Sequence, residues 1–136
     1  LMKPWRKRVA EQEWAHQVAE QVGLADYLKQ HVSELSHGLQ RQLELGMAIA
    51  LRPRLIMLDE PAAGLSPLER SILTGLIKNL TREVTLILIE HDMEIVMDLA
   101  DRITVLNRGA VIEEGSPAEI RASQQVQQVY LGSSYA

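Results

Sequence analysis

The run Leu55-Ile56-Met57-Leu58-Asp59-Glu60-Pro61 constrains this chain more than any other stretch. Four apolar residues that give way to two carboxylates read as a buried strand delivering acids to the edge of a sheet. A central parallel strand, covered on both faces, tolerates such an unbroken apolar run. Acids at its carboxyl end then lie in the crevice where open α/β sheets bind ligands. On an extended backbone Asp59 and Glu60 point to opposite sides, so they can serve one bound group in two ways. Taken alone, the run is equally compatible with a strand ending in two solvated acids.

The flanking sequence repeats the theme. Thr85 to Ile89 is a second apolar run, and it too ends in a polar tip, Glu90-His91-Asp92. Between them Ser66-Pro67-Leu68-Glu69 is a capping box with proline at the first helical position. The helix it opens is expected to turn Leu68, Ile72, Leu76 and Leu80 toward the sheet. Strand, helix, strand at this spacing implies parallel pairing through a right-handed crossover. Upstream, Ser36 is a good N-cap for a helix whose buried side is expected at Leu39, Leu43, Met47 and Leu51. Pro53 bars continuation of that helix.

The ends of the chain differ in style. Ala10, Trp14, Val18 and Val22 recur every fourth residue as one apolar stripe, and Gly23 fits the C′ position that closes a helix. From Leu24 to Glu34 a short helix and connection are expected, anchored by Tyr27 and Leu28. Past the second strand, a helix carries Met93, Val96 and Ala100. Ile103–Leu106 and Ala110–Ile112 then flank Asn107-Arg108-Gly109 as a hairpin. Ser116-Pro117-Ala118-Glu119 repeats the capping box. The tail offers Val126, Val129 and Leu131 as anchors for one short helix before fraying.

Composition removes several function classes. A net charge of −4 gives no global field that favours nucleic acid. The basic start (Lys3, Arg6, Lys7, Arg8) reads as a solvated helix entry. With no cysteine there is neither a disulfide nor a thiolate metal site. No apolar run approaches membrane-spanning length, and the N-terminus lacks the apolar segment expected of a secretory signal. Membrane association is therefore expected to come through a partner.

The order of motifs resembles the ATP-binding subunits of ABC transporters: a signature loop at Leu35-Ser36-His37-Gly38-Leu39, a Walker B strand at Leu55–Glu60, a D-loop at Ala62–Ser66 and a switch histidine at His91. Glu90-His91-Asp92-Met93, Leu99-Ala100-Asp101-Arg102-Ile103 and Tyr130-Leu131-Gly132 bring it nearest to the branched-chain amino acid or urea importer type. The resemblance covers roughly residues 20 to 132, and several motifs in order are far more specific than any one.

The resemblance implies an α/β fold, the C-terminal part of a P-loop ATPase domain. Its mostly parallel strands are flanked by helices, with a terminal β-hairpin and an N-terminal helical segment. Residues 1–34 would end the helical subdomain and residues 35–136 would form part of the ATPase core. It implies ATP and magnesium as cofactors. Glu60 would be the catalytic base or orient the attacking water, Asp59 would hold magnesium through its water shell, and His91 would approach the γ-phosphate from the opposite side. Ser36 and Gly38 would complete the ATP site of a second ATPase subunit in a head-to-tail dimer. Permease subunits would hold the protein on the inner, cytoplasmic face of the membrane, and no nucleic acid partner is implied.

Departures and absences qualify these expectations. No G-x-x-x-x-G-K-[ST] phosphate loop occurs in the 136 residues, so the chain alone is expected to bind nucleotide poorly and not to hydrolyse it. His37 replaces a glycine of the common L-S-G-G-Q, Leu39 replaces its glutamine, and Ser66 replaces the usual D-loop aspartate. Two other classes compete with the importer ATPase. A chromosome- or repair-type ATPase would show heptad arms, zinc modules or basic faces, and none is visible. A non-catalytic dimerisation or packing module derived from an ABC ATPase fits the missing phosphate loop.

Overall fold

The computed structural model describes residues 5–80 and 84–131, in two compact units, Leu1–Ile89 and Glu90–Ala136. The side chains of Lys3, Arg6, Lys7 and Arg8, and the tail beyond Leu131, lie outside the described residues.

In the first unit, helix α1 (Trp5–Gln21) packs on helix α2 (His37–Ala50). Gly23 closes α1 as expected, with φ +72°. Its amide donates to the Glu20 carbonyl (3.1 Å) and the Leu24 amide to the Ala19 carbonyl (2.7 Å), the paired bonds of a Schellman ending. Val18 and Val22 are buried, Trp14 is half-buried and Ala10 is exposed, so burial along the predicted stripe grows toward its later half. The connection is two single 3-10 turns, Ala25–Tyr27 and Val32–Glu34. Leu24 is its buried anchor and Tyr27 is half-buried, while Leu28 is exposed, contrary to expectation.

Strand β1 (Leu55–Asp59) pairs in parallel with β2 (Thr85–Ile89) in the register Leu55↔Thr85 to Asp59↔Ile89, and helix α3 (Pro67–Leu80) connects them. The parallel pairing agrees with the sequence. The expectation of a strand covered on both faces does not hold: Ile56 is 5% exposed but Met57 is 67% exposed. Side chains alternate across a strand, so Ile56, Leu58, Leu86 and Leu88 share the covered face. Leu55, Met57, Ile87 and Ile89 share the open one.

The helical faces also need correction. Helix α2 buries Gly38, Gln42, Leu45, Gly46 and Ile49, and α3 buries Leu73, Ile77 and Leu80. Met47, Leu51, Leu68 and Ile72 are exposed, and Leu39, Leu43 and Leu76 only half-buried. A Cβ on Gly46 would stand 3.0 Å from a Val22 methyl and 3.6 Å from a Val18 methyl, so the end of α1 approaches α2 there.

The second unit holds helix α4 (Met93–Leu99), strands β3 (Ile103–Asn107) and β4 (Ala110–Gly115), and helices α5 (Pro117–Ala122) and α6 (Gln124–Leu131). The hairpin is antiparallel and turns through Arg108 and Gly109, at φ +48° and +80°, the sign a two-residue hairpin turn of type I′ needs. Val105 faces Glu113 but Leu106 faces Val111, so Ile112 is the extra residue of a bulge. Ile103, Val105, Ile120 and Val126 form the core, covered by Met93, Val96, Met97, Ala100, Ile112 and Tyr130. Ser116 and Glu119 make the expected capping box at α5.

Candidate functional site

Two clusters of expected site residues lie in the first unit. At the end of β1, Asp59 and Glu60 are both exposed. The Glu60 amide donates to the Ile89 carbonyl (2.8 Å), continuing the parallel ladder one residue beyond the strand, and the Ala63 amide turns back onto the Glu60 carbonyl (3.1 Å). Glu60 itself sits at φ +43°. The premise that both acids occupy an extended backbone is therefore wrong for Glu60. A left-handed backbone costs a residue with a Cβ about 1–2 kcal/mol, and residues held so against their preference concentrate at functional sites. Among the described residues no group of three or more His, Cys, Asp or Glu could by itself hold a metal ion.

The second cluster joins the start of α2 to the start of α3. Ser36 is the N-cap of α2, its Oγ accepting from the Leu39 amide (3.3 Å). Gly38 is buried, and its amide donates to Glu69 Oε1 (3.1 Å). Glu69 Oε2 accepts from the Ser66 amide (3.0 Å) and the Ser66 hydroxyl (2.7 Å). The capping box read from the sequence is thus formed, and its glutamate does a second task that no local pattern announces. The Ser66 hydroxyl and amide, then the Gly38 amide and the charge of nearby His37, hold the Glu69 carboxyl below the usual carboxylate range, partly opposed by desolvation. His37, the bulky departure in its loop, lies against Gly64: a Cβ there would be 3.5 Å from His37 Nε2. Gly64 has φ +75°, a backbone that glycine adopts without strain.

His91 lies in the second unit, one residue past its start at Glu90, and is exposed. Its neighbour Asp92 caps α4, accepting from the amides of Glu94 (3.0 Å) and Ile95 (3.4 Å). The sequence reading missed that cap, although an aspartate just before an apolar helix is its usual sign. It also missed the Trp14 indole donating to the Ala50 carbonyl (2.9 Å). The Arg52 guanidinium stands 4.2 Å from the centre of the same ring.

Residues 2–63 match the ABC transporter family, and residues 110–136 match the branched-chain amino acid ATP-binding cassette transporter family. The high-affinity branched-chain amino acid transport ATP-binding protein BraF of Pseudomonas aeruginosa is 44% identical over 124 residues, covering 90% of this chain and 49% of BraF. The protein of the same description called LivG in Escherichia coli is 42% identical over 117 residues, 85% of this chain and 46% of LivG. The solved ADP conformation of MJ1267, an ATP-binding cassette of an ABC transporter, superposes with a TM-score of 0.79 at 27% identity, covering 90% of this chain and 50% of that one. The chain thus spans about half the length of the curated relatives it matches. It is homologous over most of its length to the ATP-binding proteins of branched-chain amino acid ABC transporters, and its α/β fold matches about half of an ABC-transporter ATP-binding cassette.

Proposed function

We propose that this chain supplies the Walker B acids, signature loop and switch histidine of an ATP-hydrolysing subunit that energises import of branched-chain amino acids or a related solute. The observation that carries the reading is the end of β1. There a parallel strand presents Asp59 and then forces Glu60 into a left-handed turn, within a sequence 44% identical to BraF.

In this reading Glu60 accepts the proton of an attacking water, or at least orients it. The turn fixes where its carboxylate leaves the backbone, since the amide is bonded to Ile89 and the carbonyl to Ala63. Asp59 suits magnesium because that ion takes one or two carboxylates together with phosphates and waters, without an all-protein cage. When bound with nucleotide, magnesium neutralises charge on the transferred phosphoryl group. His91 donates a hydrogen bond toward a phosphate oxygen. Ser36 and Gly38 face the nucleotide of a second ATPase subunit arranged head to tail, and permease subunits hold the pair on the cytoplasmic side of the membrane. Among the described residues no helix is long and apolar enough to cross a membrane.

The test is Glu60→Gln in a complete ATPase that includes this sequence. ATP binding should persist while hydrolysis falls by about 10²–10⁴-fold, the usual worth of a general base. Unchanged turnover would remove Glu60 from that role.

A further inference from the structure

The amide that the signature-loop reading offers to a phosphate already has an anion on it. Gly38 donates to Glu69 Oε1 at 3.1 Å, and Ser66 holds the other oxygen of the same carboxylate at 3.0 and 2.7 Å. A Cβ on Gly38 would fall 2.5 Å from Glu69 Oε1 and 2.7 Å from its Cγ, so the glutamate fills the space beside the glycine that a ligand would need. The next amide of the turn, Leu39, is taken by Ser36 Oγ. A helix N-terminus carries roughly half a positive charge, and here a full negative charge offsets it. A phosphate approaching Gly38 meets repulsion where an empty helix start would offer attraction.

We propose that Glu69 is an intramolecular gate on the signature loop, occupying the Gly38 amide until the phosphate of a nucleotide held by a second subunit displaces it. The inference rests on the assignment of Gly38 to phosphate under the proposed function. The gate leaves α3 capped, because Oε2 keeps its Ser66 partners while Oε1 releases Gly38.

Glu69→Gln separates the two tasks. Glutamine still serves a capping box, with its carbonyl oxygen on the Ser66 amide, but its NH2 group cannot accept from Gly38 and carries no charge. The experiment titrates the full chain with tripolyphosphate and follows the Gly38 amide by NMR, using the Ser66 amide as the check that α3 remains capped. The Gly38 shift should saturate at about tenfold lower tripolyphosphate in E69Q than in the unaltered chain, because the like-charge repulsion is relieved. Equal or weaker binding by the variant overturns the gate. Should E69Q not fold, the unaltered chain decides: the Glu69 carboxyl carbon must shift in step with Gly38, and a Gly38 shift without it, or no shift at all, overturns the proposal. Failure of the Glu60→Gln test leaves these amide shifts unaffected, so the two readings fail separately.

Discussion

A methyl group added at Gly38 has nowhere to go unless Glu69 leaves. Gly38→Ala should therefore lower stability, because the Glu69 side chain must swing off the Gly38 amide to make room. Urea midpoints check this, and in a Glu69→Ala background the cost should largely vanish. An unchanged midpoint for Gly38→Ala would mean that the two residues do not meet. The same carboxylate gives a pH signature. Its pKa is depressed in the folded chain, so its stabilising effect is complete above the ordinary carboxylate range and fades as the pH falls through the depressed value. The gap between the midpoints of the unaltered chain and E69Q should hold above about pH 5 and shrink below about pH 4. A gap that widens with acid would contradict the bonds drawn here. Of these features, Ser36 and Ser66 as caps were legible in sequence because a cap is a local pattern. The Gly38–Glu69 bond was not, because it joins residues 31 positions apart. Nor was the left-handed Glu60, since such backbone is usually announced by glycine.

Helix boundaries were easier to read than helix faces. Ser36, Pro53, Ser66 and Ser116 stop or start elements where the sequence places them, because caps and prolines act on their own backbone. The apolar stripes in the sequence run at strict four-residue steps, but a helix turns every 3.6 residues, so such a stripe drifts about 40° per step. In α2 the drift carries Met47 and Leu51 out of the interface, while Leu45, Gly46 and Ile49 hold it. Gly46 carries no hydropathic signal, and its role appears only when Val22, just past the end of α1, is set against it. Across the same helix pair Trp14 spans from α1 to the end of α2. Trp14→Phe keeps most of the ring but leaves the Ala50 carbonyl without that donor. It should cost about 1 kcal/mol, read as a lowered thermal midpoint with helix content unchanged. No loss of stability would show that water replaces the indole without penalty.

At the scale of the molecule, the strand order and hairpin follow from the sequence, but the coverage of the sheet did not. An unbroken apolar run signals burial on both faces, yet β1 and β2 leave Leu55, Met57, Ile87 and Ile89 open. Ile56 and Met57 are both apolar but lie on opposite faces of the strand, so composition alone does not say which face is covered. One bond in this sheet has a kinetic consequence. The Glu60 amide reaches across to the Ile89 carbonyl, so the proton it carries is sheltered by the same pairing that holds β1 to β2. Its exchange with deuterated water should follow the opening of the sheet and proceed in step with the paired amides of the two strands. Exchange at the rate of a free loop would mean that the acid moves without the sheet. With the coupling intact, a single slow amide becomes a clock for how long the chain keeps its acidic turn assembled.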